Sequence, residues 1–313
     1  MRKVQENKKK LHYCIFVNQK AANYNSSPIK KLTAEIRKKG DNYTIFEPDT
    51  AFNLMNTALK AVGIKKWHRE VPKTFLQRGK VSTLVACGGD GTVNLVARAA
   101  LNADLPVAII PMGKFNNIAR SLNKDISADS APKIILKNKY RKIDSGKIGE
   151  QLFFGSAAIR FTPALQQLLA DSSLSRFAFK WGQHASKVVT DIKAEKLIVK
   201  IDAFRFEVSP TILNINLLSH SVGIPFSNSS IPDDSHAEVI LDFENNKKNI
   251  SQFVRQLYKE KYLYNNEFKL FRGQNISIQP VKGETLYLDG ELVELPNEVL
   301  NIEIMDKQLK IIC

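Results

Sequence analysis

The chain is 313 residues long, enough for about two domains that each bury their own core. Its 43% hydrophobic and 25% charged residues are the proportions of an ordinary globular protein and exclude disorder at scale, and no apolar run reaches the ~20 residues that a membrane-spanning helix needs. The formal net charge of +15 suits an anionic partner such as a nucleotide, an acidic membrane surface or a nucleic acid, although a solvated basic surface would carry the same charge.

The three cysteines (Cys14, Cys87, Cys313) and five histidines (His12, His68, His184, His220, His236) fall at no metal-ligand spacing, which argues against a structural zinc site. The basic N-terminus leads into Leu11–Val17, too short and too mixed for a signal-peptide core, so the expected location is the cytoplasm. In chain order, Leu11–Val17 reads as a buried strand. Pro28 opens a helix with Ile29, Leu32 and Ile36 on one face, and Gly40 ends it. Tyr43–Glu47 is a short strand, Asp49-Thr50 caps a second helix, and Gly63 stops it. Val81–Cys87 is a third strand with a helix running to about Asn102, and Pro106–Pro111 a fourth. This alternation predicts a parallel sheet covered by helices on both faces, with ligands at the carboxyl ends of the strands.

From Asp144 the texture changes. Phe153–Phe161 reads as a strand and Pro163–Ala170 as a short helix. An apolar stripe at helical spacing then runs from Leu174 to Val188, a pattern of core packing or of a membrane-touching face. Strands follow at Lys196–Ile201, Ala203–Val208, Thr211–Leu218, Ala237–Phe243, Phe268–Phe271, Asn275–Pro280, Thr285–Asp289, Glu291–Leu295 and Leu300–Met305, with one helix at Asn249–Lys261. The expected architecture is a parallel-sheet α/β domain over residues 1–135 and a mainly antiparallel β-sandwich domain over 136–313, with room for the last strands to pack back on the first domain.

The organising stretch is Leu84–Asn94, in which a buried strand runs into Gly88, Gly89, Asp90, Gly91 and Thr92 and then into a helix. Glycines here suit a positive φ or a close approach by another group. Thr92 is a good N-cap, and the first amides of the helix are an anion site whose natural occupant is a phosphate. A carboxylate at Asp90 would repel a bare phosphate unless a metal ion or a transferable proton intervened, which favours phosphoryl transfer over passive anion binding. The plain alternative is a glycine-rich turn with Asp90 as a cap. Three other stretches carry polar chemistry: Gly113, Lys114, Asn116 and Asn117 after the fourth strand; Pro232-Asp233-Asp234, where adjacent carboxylates suit a hard cation; and Asp289-Gly290-Glu291, an Asp-Gly hairpin turn with two acids.

Taken together, Gly88–Thr92 with Val93-Asn94, Pro111–Arg120, Asp144 with Phe154–Ile159, Pro232–Asp234 and Asp289–Glu291 resemble, in order and spacing, the motifs of the diacylglycerol kinase catalytic-domain family. That family includes bacterial lipid kinases and sphingosine kinases. The resemblance implies ATP in a cleft, magnesium, and γ-phosphate transfer to a lipid hydroxyl. Gly88, Gly89, Asp90, Gly91 and Thr92 would cradle the phosphates, Asn18 would start the first nucleotide loop, Thr50 would lie near the ATP, and Gly113, Lys114 and Asn116 would form the second loop. Glu291 would be the general base, Asp90 would act with it, and Asp234 would serve a magnesium site. The chain departs from the pattern at Gln19 and Ala22 in the first loop, at Lys114, Phe115 and Asn117 in the second, and at Ser235, which stands where the family has glycine. The expected partner is a lipid substrate at an anionic membrane surface. No nucleic acid is expected, because basic and aromatic residues do not interleave, and a homodimer is compatible with the sequence. The alternatives are an NAD-kinase-like enzyme, which shares the Gly-Gly-Asp-Gly-Thr turn, and a non-catalytic nucleotide- or lipid-binding member of the same fold.

Overall fold

A computed structural model of the chain describes residues 10–64, 81–160, 196–221, 223–227, 229–242, 268–281, 283–295 and 298–312. The expected helices at Pro163–Ala170 and Asn249–Lys261 and the apolar stripe between them lie outside the described residues. The chain divides into two compact units, one made of Met1–Lys114, Asp125–Arg141 and Leu309–Cys313, the other of Phe115–Lys124 and Lys142–Gln308.

In the first unit, β1 (His12–Val17), β3 (Thr83–Gly88) and β4 (Val107–Pro111) are buried along their whole length, as strands of a sheet covered on both faces must be. The half-exposed β2 (Asn42–Phe46) forms the edge. The order is β2-β1-β3-β4, all parallel. The end of β18 (Leu300–Ile312) adds one more parallel partner to β4 through Ile311 and Ile312. That strand runs seven residues beyond the expected Met305, because Asp306, Lys307 and Gln308 leave their side chains in solvent without ending the pairing. The chain passes from β1 to β2 on one side and returns to β3 on the other, so the winding reverses between β1 and β3. In open α/β sheets a ligand crevice lies at such a reversal.

The helices follow from their apolar spacing. α1 (Ser27–Lys38) buries Ile29, Leu32 and Ile36 and gives way to Gly40 at φ +77°. α2 (Ala51–Ala61) starts at Thr50, whose Oγ1 accepts the Asn53 N–H at 3.1 Å, and packs on α3 (Asp90–Asn102). Both described cysteines, Cys14 and Cys87, are buried free thiols. Burial pushes Cys14 up to about 12 and Cys87 higher still, which rules out thiolate chemistry near neutrality.

The second unit begins with the short helix α4 (Asn117–Leu122); α5 (Ala131–Ile135) belongs to the first unit, where it packs on α1 and β4. β5 (Tyr140–Ile148) pairs antiparallel with β6 (Gln151–Phe153). The larger of the unit's two antiparallel layers is a six-stranded sheet. It contains β7 (Ser156–Ile159), β10 (Leu213–Asn216), β13 (Ala237–Asp242), β14 (Phe268–Gly273), β16 (Leu286–Leu288) and β17 (Glu291–Val293), in the order β14-β13-β10-β7-β16-β17. The other layer joins the first residues of β18 to β15 (Asn275–Gln279), β8 (Leu197–Ile201) and β9 (Phe204–Val208). The layers meet where Phe206 packs on Phe271, ring centroids 4.7 Å apart.

Two buried polar ties hold this unit. Arg160, at φ +61° and with its side chain almost wholly buried, reaches Glu284 Oε1 through Nε at 2.8 Å and Nη2 at 2.6 Å, and the Pro210 carbonyl through Nη1 at 2.9 Å. Asp242 accepts the Thr211 and Ile212 N–H groups and the Thr211 hydroxyl, which fixes the entry to β10. A small hairpin of β11 (His220–Ser221) and β12 (Ile224–Pro225) is fastened to α4. The His220 N–H donates to Ser121 Oγ at 2.9 Å, and Gly223, at φ +79°, donates its N–H to Asn117 Oδ1 at 2.7 Å. Burial, aided by the charges of Arg120 and Lys124, depresses the His220 imidazole to about 4.

Two stability measurements follow. Removing one partner of a buried ion pair strands the other, so Arg160→Met should cost about 3 kcal/mol in urea unfolding; a loss under about 1 kcal/mol would mean the pair is solvated. Below the ordinary imidazole value of 6.5, the unfolded chain takes up a proton at residue 220 that the folded chain refuses until about pH 4, so this ring removes stability as pH falls through that window. His220→Gln should flatten that part of the pH profile relative to the parent, and superimposable profiles would count against a neutral ring.

Candidate active site

The first unit brings the carboxyl ends of β1, β3 and β4 together. After β1, Asn18 donates its backbone N–H to the Cys87 carbonyl at 2.9 Å and its side-chain Nδ2 to Thr92 Oγ1 at 3.2 Å. The sequence expects Thr92 as the N-cap of the following helix. Instead α3 begins at Asp90 with Gly89 as its cap residue, and Thr92 lies buried inside the first turn. The helix thus starts three residues before a Thr92 cap would place it, and the bare Gly88 leaves room for the Thr92 side chain, since a Cβ there would stand 2.4 Å from Thr92 Oγ1.

The second glycine turn backs directly onto the first. A Cβ on Gly89 would lie 3.0 Å from the Gly113 α-carbon, and the Met112 N–H donates to the Gly88 carbonyl at 2.8 Å. None of Gly88, Gly89 and Gly91 takes a positive φ; Gly88 and Gly89 are required by close approach alone. Asn23, which reads in the sequence as part of a polar connection, laces the two turns by donating its N–H to the Met112 carbonyl and its Nδ2 to the Gly113 carbonyl at 2.7 Å. Lys20 was equally silent in the sequence. Its Nζ holds the Asp49 carbonyl at 2.8 Å, next to Thr50, whose hydroxyl is engaged as a helix cap. The result is a cradle of backbone at the start of a 13-residue helix, with the half-buried Asp90 in its first turn and the exposed Lys114 at the end of the second loop. First-turn amides and the helix dipole favour an anion in such a place.

In the second unit, Asp289 and Glu291 have different surroundings. Asp289 at φ +50° and Gly290 at φ +89° make a two-residue turn of left-handed backbone, the form that joins twisted strands best. The buried Asp289 carboxylate accepts the N–H groups of Phe154, Gly155 and Ser156 at 2.9, 2.7 and 3.0 Å, while its own N–H donates to the Ser156 carbonyl. It is a clasp between β16 and the entry to β7. Glu291, two residues on, is exposed at the start of β17. The Phe115 ring lies against Gly223, where a Cβ would come within 2.7 Å of Cδ1, and Asn116 starts α4 at φ +54°.

Asp234 forms an ion pair with Arg272 through Oδ2, and its Oδ1 accepts the His236 N–H. Ser235 stands at φ +65°, a left-handed position that explains why glycine is the residue expected there. It is held by donating its N–H to Asp144 Oδ2 and its hydroxyl to Asp306 Oδ1, each at 2.7 Å. Burial, with the Asp306 and Asp234 charges adding to it, raises the Asp144 carboxyl above the usual range, against the pull of the Lys307 and Ser235 amides. Among the described residues no three His, Cys, Asp or Glu side chains converge to hold a metal ion by themselves, and no helix is long and apolar enough to cross a membrane.

Residues 12–148 match the model of the diacylglycerol kinase catalytic domain. A diacylglycerol kinase of Staphylococcus saprophyticus is 22% identical over 228 residues, which covers 70% of this chain and 74% of that protein. A YegS-like lipid kinase of Serratia proteamaculans is 36% identical over 80 residues, only 24% of this chain and 26% of its own length. The crystal structure of a diacylglycerol kinase from Bacillus anthracis strain Sterne superposes with a TM-score of 0.69 at 17% identity, covering 97% of each chain, and so shares the fold. The match to the diacylglycerol kinase catalytic domain takes in residues 12–148, with both glycine turns inside them.

Proposed function

We propose that the protein is an ATP- and magnesium-dependent lipid kinase that transfers the γ-phosphate to the hydroxyl of a lipid such as diacylglycerol, at an anionic membrane surface. The reading rests chiefly on one observation: Asn18, Gly88–Thr92 and Gly113 meet at the carboxyl ends of adjacent parallel strands, where a side chain on Gly88 or Gly89 would collide.

In this reading the backbone of Gly88–Thr92, with Gly113, Lys114 and Asn116, binds the phosphates, Asn18 and Thr50 border the nucleotide, and Lys114 contributes a positive charge. Asp90 is the one carboxylate in that turn. A lone carboxylate suits magnesium, which usually takes one or two protein carboxylates and completes its shell with water and substrate phosphates. When bound, magnesium neutralises charge on the transferring phosphoryl group. Glu291 takes the acceptor hydroxyl proton, and Asp289 keeps its turn rigid by holding the 154–156 backbone. Asp234, paired with Arg272, is the further acidic position that the family resemblance associates with magnesium.

The test is transfer of label from γ-labelled ATP, with magnesium, to a panel of diacylglycerol, sphingoid bases, phosphatidylglycerol and NAD. Glu291→Gln should lower kcat by about 10²- to 10⁴-fold, the usual worth of a general base, with KM for ATP nearly unchanged, and Asp90→Ala should abolish transfer with the fold intact by circular dichroism. Full turnover in both variants would remove the proposed site, and turnover of NAD but of no lipid would favour the NAD-kinase-like alternative.

A further inference from the structure

The second unit ends, on one side, in a strand edge that is open and complementary to itself. Its layer runs β18-β15-β8-β9, and among the described residues β9 has a strand neighbour on one side alone. Ile201 and Phe204 flank the two-residue turn Asp202-Ala203 and so exchange both backbone bonds. The alternation of an antiparallel ladder gives the same bonds to Val199 with Phe206 and to Leu197 with Val208. Arg205 and Glu207 therefore aim their N–H and carbonyl groups away from β8.

Soluble proteins usually blunt such an edge with a proline, a bulge or an inward-pointing charge. The run Phe204-Arg205-Phe206-Glu207-Val208 has no proline, and its register with β8 is unbroken. By the period of two, Phe204, Phe206 and Val208 share the face on which Phe206 meets Phe271, while Arg205 and Glu207 share the other. Phe204 stacks on Phe206 with ring centroids 6.5 Å apart, yet it is 67% exposed, the most exposed of the large apolar side chains among the described residues.

The charges on the other face are unevenly met. Arg205 stands directly opposite Lys200 in a non-hydrogen-bonded pair, the arrangement that brings side chains closest, and like charges so placed repel. Glu207, two residues along the same face, forms its ion pair with Lys196 at 2.6 Å. A second copy of β9, laid antiparallel about a two-fold axis through Phe206, meets these features together. Arg205 then faces the partner's Glu207 in a hydrogen-bonded pair, and the symmetry repeats that pair. Phe206 meets the partner's Phe206, and the exposed Phe204 meets the partner's Val208. Centring the axis on Arg205 or on Glu207 would instead set like charges face to face, so the charges select one register.

We infer that the protein forms a two-fold dimer by antiparallel pairing of β9 with the β9 of a second copy, which joins the two layers into one continuous sheet. A foreign strand would have to carry an acid and a base at the same spacing in reverse order, and the chain's own β9 already does. The dimer is independent of the kinase reading. Five residues a side make a small contact, so the association is reversible and depends on concentration.

Sedimentation velocity of the full chain over a concentration series reads this directly. The parent should show a reversible equilibrium between monomer and dimer. Arg205→Glu and Glu207→Arg should each raise the dissociation constant by about tenfold or more, because each sets like charges opposite one another twice. Combining the two substitutions restores the opposite charges and should return the constant to near the parent value. Both side chains are exposed, and circular dichroism checks that the variants keep the fold. A parent that stays monomeric at every concentration would overturn the pairing and leave the edge to a strand of another protein. A dimer that ignores either single reversal, or a double variant as weak as the singles, would overturn it equally.

Discussion

The first unit depends on close approach at two glycines whose missing side chains leave room for a neighbour. Gly88 lies under Thr92 and Gly89 against the Gly113 α-carbon. A methyl group at either position would force apart the strand ends that the Asn18–Thr92 bond and the two Asn23 donors hold together. This constraint accounts for the helix start at Asp90 and for the interior place of Thr92. Main-chain groups cannot be exchanged by substitution, so the cradle tolerates variation nearby. Lys114 and Asn117 stand where the family pattern has other residues, and the contact between the two glycine turns is unaffected.

In the second unit, burial divides the work among the acids. Asp289, Asp242 and Asp144 each spend their oxygens on backbone amides at the start of a strand or between strands. A buried carboxylate is tolerable only when such donors surround it. Burial raises the Asp144 and Asp242 carboxyls while those donors pull them back. Glu291 has no structural burden of this kind and is exposed. Of the two acids in one hairpin, Asp289 is the one whose carboxylate is tied to backbone amides.

Much of this was legible in the sequence. The parallel strands announced themselves as unbroken apolar runs; α1 begins one residue before the expected Pro28 and ends before Gly40, and α2 lies between the expected Thr50 and Gly63. The glycine run marked the right turn, because glycine at a strand end has few other uses. What escaped was whatever depends on a partner distant in sequence. Asn23 looks like any loop asparagine until Gly113, 90 residues on, is beside it. β5 was hidden because its first residues are basic and exposed, and the tail of β18 because three polar residues interrupt its pattern. Asp289 read as an ordinary turn residue because a hairpin predicts its own two strands and says nothing of the third chain segment its carboxylate holds.

The same limit explains Phe115. In sequence it is a bulky residue where the family pattern has glycine, and nothing local accounts for it. In the fold its ring lies against Gly223, which also donates to Asn117, another departure from the pattern. The two substitutions thus act on one target, the ring filling the space that the missing Cβ leaves and the amide meeting the N–H of the same residue. A left-handed turn at Gly223 admits few other residues, so the hairpin fixes the glycine and the glycine makes room for the ring. Departures that look independent in the sequence are one adaptation, and it strengthens the hold of α4 on the β11–β12 hairpin.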